Sequence, residues 1–138
     1  MSFEQIDHVG IVVADLDAGL ARYRDLLGVE PSVRKRMEKD GIDAAMLDLG
    51  STHVELIAPT GPGSTIASFL EKRGEGMHHV AYRVDDIRAA LAGLRQAGAR
   101  LLDEEPRMGV MGHLVAFVHP KSFGGVLTEL VEAGHAGQ

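Results

Sequence analysis

Apolar and polar positions along the chain predict the same series of elements twice. Residues 6–13 form a run rich in β-branched side chains, which predicts a strand, and the apolar positions that follow recur at helical spacing. Residues 79–84 and the stretch after them repeat this pattern. The residues that are identical at a spacing of 71 are Val9, Val13, Asp15, Ala18, Leu20, Ala21 and Arg24 with their counterparts. The chain therefore predicts strand then helix, twice.

The ends of the helices are also predicted. An Asp or Ser at the N-cap accepts a hydrogen bond from the first turn, and a Gly past the last turn ends the helix. The predicted caps and stops are Asp15 and Gly28, Asp85 or Asp86 and Gly98, and, for a short helix between the repeats, Ser64 and Gly74.

Three short strands, separated by Gly, Pro and Asp turns, are predicted after each long helix. Their ranges are 32–39, 42–49 and 53–58, then 101–104, 114–119 and 126–131. The expected fold class is therefore α+β, with two tandem βαβββ modules forming a curved mixed sheet. The expected boundaries within one domain spanning 1–138 are 4–58 for the first module, 59–75 for the connector and 76–132 for the second module.

Composition excludes several classes of site and partner. Hydrophobic residues make up 45% and charged residues 25% of the 138 residues, as in an ordinary globular protein. The chain has no Cys, so a metal must be held by nitrogen and oxygen ligands. The net charge of −6 argues against nucleic acid as a partner. No apolar run reaches the roughly 20 residues of a membrane helix, and the start lacks a signal-peptide pattern, so we expect no membrane partner and a cytoplasmic location.

Two His and two Glu residues recur in register with the repeat. His8 and His79 are 71 residues apart, and Glu55 and Glu129 are 74 residues apart. Each Glu lies between apolar neighbours in a predicted strand, so strand alternation turns it to the opposite face. A repeat that only fills a core has no reason to keep polar residue types at equivalent places. If the modules pack about a pseudo-twofold axis, the four side chains converge into a metal site within the sheet.

This set of ligands suits a divalent first-row ion such as Co, Mn, Ni, Zn or Fe(II) and leaves positions open in an octahedral shell. A single strand His is more often a structural residue than a ligand, so the prediction rests on all four recurring together. His53 shares the predicted face of Glu55 and is the alternative ligand. His78 is the other neighbour to be distinguished from a ligand.

Basic residues and two loops are candidates for binding an anionic ligand, although for any one basic residue solvated surface charge is the favoured interpretation. The basic candidates are residues 34–36, 72–73, Arg107 and Lys121. His113 lies in a glycine-containing loop that can either cover a pocket or form an ordinary turn. Lys121 precedes two glycines, in a segment that can bind phosphate or carboxylate or form a tight hairpin.

The duplicated module with His and Glu in register resembles the vicinal oxygen chelate superfamily, which includes glyoxalase I, extradiol dioxygenases and fosfomycin-resistance proteins. Within it the chain is most similar to the methylmalonyl-CoA epimerases. The stretches that carry this resemblance are residues 6–11, 53–59, 74–81, 103–109, 117–122 and 125–130. The paired His78 and His79 and the segment around Lys121 are closer to the epimerases than to the superfamily at large.

The resemblance implies epimerisation at C2 of a malonyl-type CoA thioester through a metal-stabilised enolate. It implies His8, Glu55, His79 and Glu129 as metal ligands, Glu129 as the base that takes the C2 proton, and a homodimer. Their charge and loop positions make Lys121, His113 and Arg107 the expected substrate-binding residues.

The second acid/base residue is left open by the resemblance. Some epimerases carry another Glu in the strand after the first helix, but Ala44 occupies that place, and alternation turns the neighbouring Asp43 to the other face. Glu55 or a water on the metal is our hypothesis for this role.

Two other functions share the same ligand pattern. A glyoxalase-I-like lyase acting on a hemithioacetal also needs chelated oxygens and proton transfer. A non-catalytic small-molecule-binding or resistance protein ranks third, since such proteins can lose the ligands that this chain keeps. A ring-cleaving dioxygenase ranks lower, because it typically uses three protein ligands.

Overall fold

The computed structural model of the protein describes residues 3–132. These residues contain eight strands, three α-helices and one 3₁₀ helix. In chain order they are β1 (Phe3–Val12), α1 (Leu16–Leu27), β2 (Pro31–Met37), β3 (Ile42–Leu49), β4 (Thr52–Pro59), α2 (Thr65–Arg73), β5 (Gly76–Val84), α3 (Ile87–Gln96), β6 (Arg107–Met108), β7 (Leu114–Val118), the 3₁₀ helix (Pro120–Phe123) and β8 (Thr128–Glu132).

The described residues divide into two compact units. The first unit contains residues 8–78, and the second contains residues 79–132 together with residues 3–7. The boundary falls inside β1 and β5. Within the second unit, both Nε and Nη2 of Arg83 donate hydrogen bonds to Asp7 Oδ1, at 3.1 and 2.9 Å, and tie residues 3–7 to β5.

In the first unit the strand order is β2-β3-β4-β1, and β1 runs parallel to β4 while the other pairs are antiparallel. Helix α1 covers one face of this sheet. Its core there consists of Val13, Leu16, Ala45, Leu47, Leu56 and Ala58. A Cβ on Gly19 would lie 3.2 Å from Val13 Cγ2, so the helix approaches the sheet closely at this glycine.

Helix α2 covers part of the opposite face of the first unit. Ile66 packs there against Val12 and Ile57, with Phe69 and Leu70 around them. Along β4, residues 54, 56 and 58 pack in the core under α1, whereas Ile57 faces α2. The alternation predicted for β4 is therefore confirmed.

In the second unit the strand order is β5-β8-β7-β6, with β5 parallel to β8. Helix α3 covers one face, and its core consists of Val84, Ile87, Ala90, Leu91, Ala116 and Leu130. The other face carries a small cluster of Ala81, Val115 and Val131. The predicted α+β fold, with a βαβββ module repeated and parallel and antiparallel strands mixed, is confirmed; the module boundaries stay predictions.

The predicted helix caps agree closely with the structure. Asp15 accepts a hydrogen bond from Ala18 N at 2.9 Å, and Gly28 ends the helix with a φ of 71°. Of the two candidates for α3, Asp86 is the cap and accepts from Ala89 N at 3.1 Å. Ser64 caps α2 as predicted.

The strand predicted at residues 101–104 is wrong. Only Leu101 makes a bridge, to Val118, and β6 lies further along at Arg107–Met108. The reason is that a side chain replaces the ladder: Asp103 Oδ2 accepts the backbone N–H of Phe117 at 2.8 Å. A carboxylate that bonds the backbone in this way competes with regular strand pairing.

No helix among residues 3–132 combines the length and the apolar character that a membrane crossing requires.

Candidate functional site

Strand β4 places Glu55 on the face of the first unit that is opposite α1. Its neighbours Val54 and Leu56 pack towards α1, as the sequence predicted. On the adjacent strand, His8 lies in register with His53. His8 Nε2 lies 3.4 Å from Glu55 Oε1, and the two side chains are 6% and 10% exposed. The first unit therefore brings His8 and Glu55 together as an imidazole–carboxylate pair.

The second unit contains an equivalent pair. Ala81 of β5 lies in register with Glu129 of β8. His79 Nε2 lies 3.1 Å from Glu129 Oε1, and the two side chains are 3% and 9% exposed. Each unit thus contains one of the two predicted His residues next to one of the two predicted Glu residues, between two parallel strands.

The donor set of these pairs fits a divalent metal ion. Imidazole nitrogen and carboxylate oxygen are the ligands that first-row ions take in the absence of thiolate. All four residues are buried, although His and Glu are seldom fully buried without a charged partner or a metal. Each carboxylate requires compensating positive charge at its imidazole or from a cation. The residues present are therefore suited to hold such an ion.

An aromatic contact next to the second pair was not anticipated from the sequence. The ring of Phe117 packs against the His79 ring, with centroids 5.4 Å apart and planes at 86°. Phe117 also lies opposite Glu129 in the β7–β8 register. The guanidinium of Arg107 lies over the Phe117 ring, 5.6 Å from its centroid. The contact between Phe117 and His79 joins residues distant in the sequence, so no local pattern predicts it.

His53 and His78, the two histidines to be distinguished from ligands, each have another contact. His53 Nδ1 lies 2.8 Å from Asp48 Oδ1, directly across the β3–β4 ladder. The His78 ring packs against Phe69 of α2, with centroids 5.0 Å apart.

Ala44 is fully buried in β3 and lies in register with Ile57. The adjacent Asp43 forms ion pairs with Arg34 and Arg36 of β2, at 3.2 and 3.9 Å. Asp43 is therefore occupied by basic residues of the neighbouring strand.

The basic stretch at residues 34–36 is largely neutralised. Arg34 donates to Asp17 at 2.6 Å, and its hydrogen bonds to Asp17 and Asp43 raise the pKa of the guanidinium. Arg36 forms an ion pair with Glu38. Two of the three basic side chains thus already have acidic partners.

The three predicted substrate-binding residues lie in the second unit. Arg107 is exposed and lies 3.4 Å from Asp103, and His113 is half-buried in the turn between β6 and β7. Lys121 is exposed in the 3₁₀ helix, where its backbone N–H donates to His119 Nδ1 at 3.0 Å. Desolvation, followed by the positive charges of Arg100 and Lys121, lowers the pKa of His119. The surroundings of Lys121 are therefore locally basic.

Comparison with protein families gives one match across most of the chain. The family described as the glyoxalase/bleomycin resistance protein/dioxygenase superfamily matches residues 7–117. Both units contribute to this match.

Two relatives extend the similarity over nearly the whole chain. An ethylmalonyl-CoA/methylmalonyl-CoA epimerase from Cereibacter sphaeroides is 44% identical over 128 residues, covering 91% of this chain and 96% of the relative. The mitochondrial methylmalonyl-CoA epimerase of Homo sapiens is 41% identical over 130 residues, covering 94% and 74%.

Solved structures of epimerases show the same similarity. A single-residue variant of Streptomyces coelicolor methylmalonyl-CoA epimerase, in complex with 2-nitronate-propionyl-CoA, has a TM-score of 0.92 at 40% identity and covers 97% of each chain. A methylmalonyl-CoA epimerase in complex with methylmalonyl-CoA and NH4+ gives the same TM-score, identity and coverage.

Proposed function

Because this chain belongs to the glyoxalase/bleomycin resistance protein/dioxygenase superfamily, we propose that it is a metal-dependent epimerase that inverts C2 of methylmalonyl-CoA. The observation that carries this proposal is the pair of buried His–Glu contacts, one in each unit. Relatives named as epimerases of methylmalonyl-CoA, at about two-fifths identity over nearly the whole chain, support the choice of substrate.

We propose that His8, Glu55, His79 and Glu129 hold one divalent ion, with Co, Mn, Ni and Zn as the candidates. Such an ion supplies positive charge that stabilises the negative charge developing on the thioester oxygen as C2 loses its proton. Two imidazoles and two carboxylates leave the set of protein ligands electrically neutral with a divalent ion.

Glu129 takes the C2 proton as general base. An ionised carboxylate can accept a proton from carbon, and Glu129 is the carboxylate to which the similarity to the epimerases assigns this role. Glu55, which would take up a proton from solvent for this step, returns it to the opposite face of C2 and completes the inversion, since the buried Ala44 has no proton to give. Glu129 then releases the abstracted proton to solvent, so one proton leaves, one arrives, and both carboxylates return to the ionised state.

Arg107, Lys121 and His113 bind the anionic and polar parts of the CoA thioester. The exposed guanidinium of Arg107 lies over Phe117, whose ring contacts His79, so it is available to an anion near the second pair. Lys121 adds its charge to the basic surroundings of His119. A cytoplasmic location and a homodimer remain predictions.

The test is solvent exchange at C2. The protein is loaded with Co²⁺ or Mn²⁺ and incubated in deuterated water with (2R)- or (2S)-methylmalonyl-CoA. Deuterium at C2 and conversion to the other epimer are followed in parallel, with metal-free protein as the control.

Metal-dependent exchange together with inversion is the expected result. An ion-loaded protein that exchanges no deuterium would refute the epimerase and direct the search to hemithioacetals, the substrates of the glyoxalase-like alternative. Ethylmalonyl-CoA is included in the assay, because one methylene changes selectivity by only about 1 to 3 kcal/mol.

A further inference from the structure

Phe117 has no role in the proposed proton transfer, yet its ring contacts one of the proposed ligands. Its ring meets the His79 ring almost perpendicularly, at a centroid distance of 5.4 Å, and its strand position is opposite Glu129. Phe117 therefore borders both members of the second pair.

The backbone of Phe117 is hydrogen-bonded at both its N–H group and its carbonyl group. Asp103 Oδ2 accepts the Phe117 N–H at 2.8 Å, and the Phe117 carbonyl accepts from the N–H groups of Leu102 and Asp103 at 3.0 and 3.1 Å. The other oxygen of Asp103 lies 3.4 Å from Arg107 Nε, and the Arg107 guanidinium lies over the Phe117 ring. The segment that failed to form a regular strand thus fixes Phe117 in place.

The repeat does not require an aromatic ring at this position. In the first unit the residue opposite Glu55 is Met46. Met is flexible and adapts to gaps, whereas a Phe ring has a fixed shape that restricts its neighbours. The residue opposite the carboxylate therefore differs between the two pairs: it is a flexible thioether chain in the first unit and an aromatic ring in the second.

We propose that Phe117 is a positioning residue that fixes the ring orientation of His79 for metal binding, and that Asp103 holds Phe117 in that position. The proposal rests on the metal site of the proposed function. The terminal torsion of a His side chain is broad, so an imidazole without lateral contacts rotates away from the direction that a metal bond needs. A perpendicular ring packed against it removes that freedom. Outer-shell residues that orient a ligand by hydrogen bonding typically contribute about 10-fold to 100-fold to metal affinity, and we expect an effect of this order from the packed ring.

The experiment measures metal affinity, separately from catalysis. The dissociation constant of Co²⁺ is determined by calorimetry, and the visible absorption of bound Co²⁺ reports its coordination. Phe117→Leu and Phe117→Met, whose unbranched side chain adapts to gaps, are each expected to weaken Co²⁺ binding about 10-fold to 100-fold and to change the spectrum. Phe117→Tyr retains the ring and is expected to retain both affinity and spectrum.

Phe69→Leu is the matched control. Phe69 packs on His78 with centroids 5.0 Å apart and planes at 73°, which closely matches the Phe117–His79 contact. His78 is not a proposed ligand, so this variant loses an aromatic–imidazole contact of the same kind and is expected to bind Co²⁺ as the wild type does. Asp103→Ala is expected to weaken binding in the same direction as Phe117→Leu.

Folded Phe117→Leu and Phe117→Met proteins with wild-type Co²⁺ affinity and spectrum would overturn the proposal, as would a wild type that binds no divalent ion. If Phe117→Leu does not fold, Phe117→Met decides. A wild type that binds Co²⁺ but does not exchange C2 deuterium would overturn the epimerase alone and leave the role of Phe117 to be judged from the affinities.

Discussion

Asp48 and His53 lie opposite each other across the β3–β4 ladder, and Asp48 Oδ1 is 2.8 Å from His53 Nδ1. His53 shares a strand face with Glu55, which made it the alternative ligand, and it also lies in register with His8. Its side chain is 25% exposed, compared with 6% for His8. A carboxylate partner and greater exposure favour a structural role for His53.

Substitution of His53 and of His8 should distinguish a structural histidine from a metal ligand. His53→Gln is expected to leave the Co²⁺ dissociation constant unchanged, because its imidazole pairs with Asp48. His8→Gln removes a buried proposed ligand and is expected to weaken Co²⁺ binding by more than about 100-fold, beyond the usual effect of an orienting residue. Titration calorimetry of both variants compares them directly, and equal losses would return His53 to the ligand set.

Glu129→Gln and Glu55→Gln distinguish the two proposed proton carriers. Each Gln retains a ligand oxygen but cannot take up a proton, so the rate of epimerisation should fall by about 10²-fold to 10⁴-fold in either variant. Deuterium exchange without inversion discriminates between them. Glu129 is still present in Glu55→Gln, so this variant should still exchange the C2 proton of the epimer that Glu129 deprotonates. A Glu55→Gln protein that keeps its metal and the full epimerase rate would remove Glu55 from this role.

The core under α1 should dominate the stability of the first unit. Leu56 is fully buried there, so Leu56→Ala is expected to lower the free energy of unfolding by about 2 to 5 kcal/mol. Leu26 of α1 is 76% exposed, and Leu26→Ala should change the free energy of unfolding by less than about 0.5 kcal/mol. Urea unfolding followed by circular dichroism measures both, and similar losses would contradict this packing.

The lowered pKa of His119 predicts a pH dependence of stability. Burial and the charges of Arg100 and Lys121 place the folded-state pKa below the ordinary value of 6.5, so the unfolded chain binds the extra proton more readily. The contribution of His119 to stability is therefore fully present above pH 6.5 and is lost as the pH falls from there through the folded-state pKa. His119→Asn keeps a side-chain acceptor for Lys121 N–H and should lose less stability than the wild type when the pH is lowered from about 7 to about 5.

A second measurement isolates the cause of this shift. Arg100→Gln removes one nearby positive charge and should raise the pKa of His119, followed by the ring proton resonance in an NMR titration. Burial is the larger cause, so the pKa should rise only part of the way to its ordinary value. An unchanged pKa would show that Arg100 does not act on this imidazole.

Local signals predicted the parts of the fold that depend on neighbours in the sequence. Asp15 and Asp86 cap their helices because each needs only the N–H three residues ahead. The orientation of Glu55 followed from period-two alternation alone. The choice of His8, Glu55, His79 and Glu129 as candidate ligands came from a different signal, the repeat, which carries long-range information that a single strand does not.

The features that the sequence did not predict all depend on contacts between distant residues. Asp103 bonds to Phe117, fourteen positions away, and so displaces the expected strand. The contact of Phe117 with His79 spans 38 positions and involves an apolar residue that looks like ordinary core in the sequence. Neither contact produces a periodic pattern of residues in the sequence, so neither can be predicted from it.

The parallel pairing of β1 with β4, and of β5 with β8, has a consequence for folding kinetics. Val9 pairs with Val54, 45 residues away, and Ala81 pairs with Glu129, 48 residues away. Each His–Glu pair thus exists only after a long loop has closed, and such non-local closure is slow. A divalent ion can bind the proposed ligands only after they have come together, late on the folding pathway. The ion should therefore leave the refolding rate almost unchanged and lower the unfolding rate.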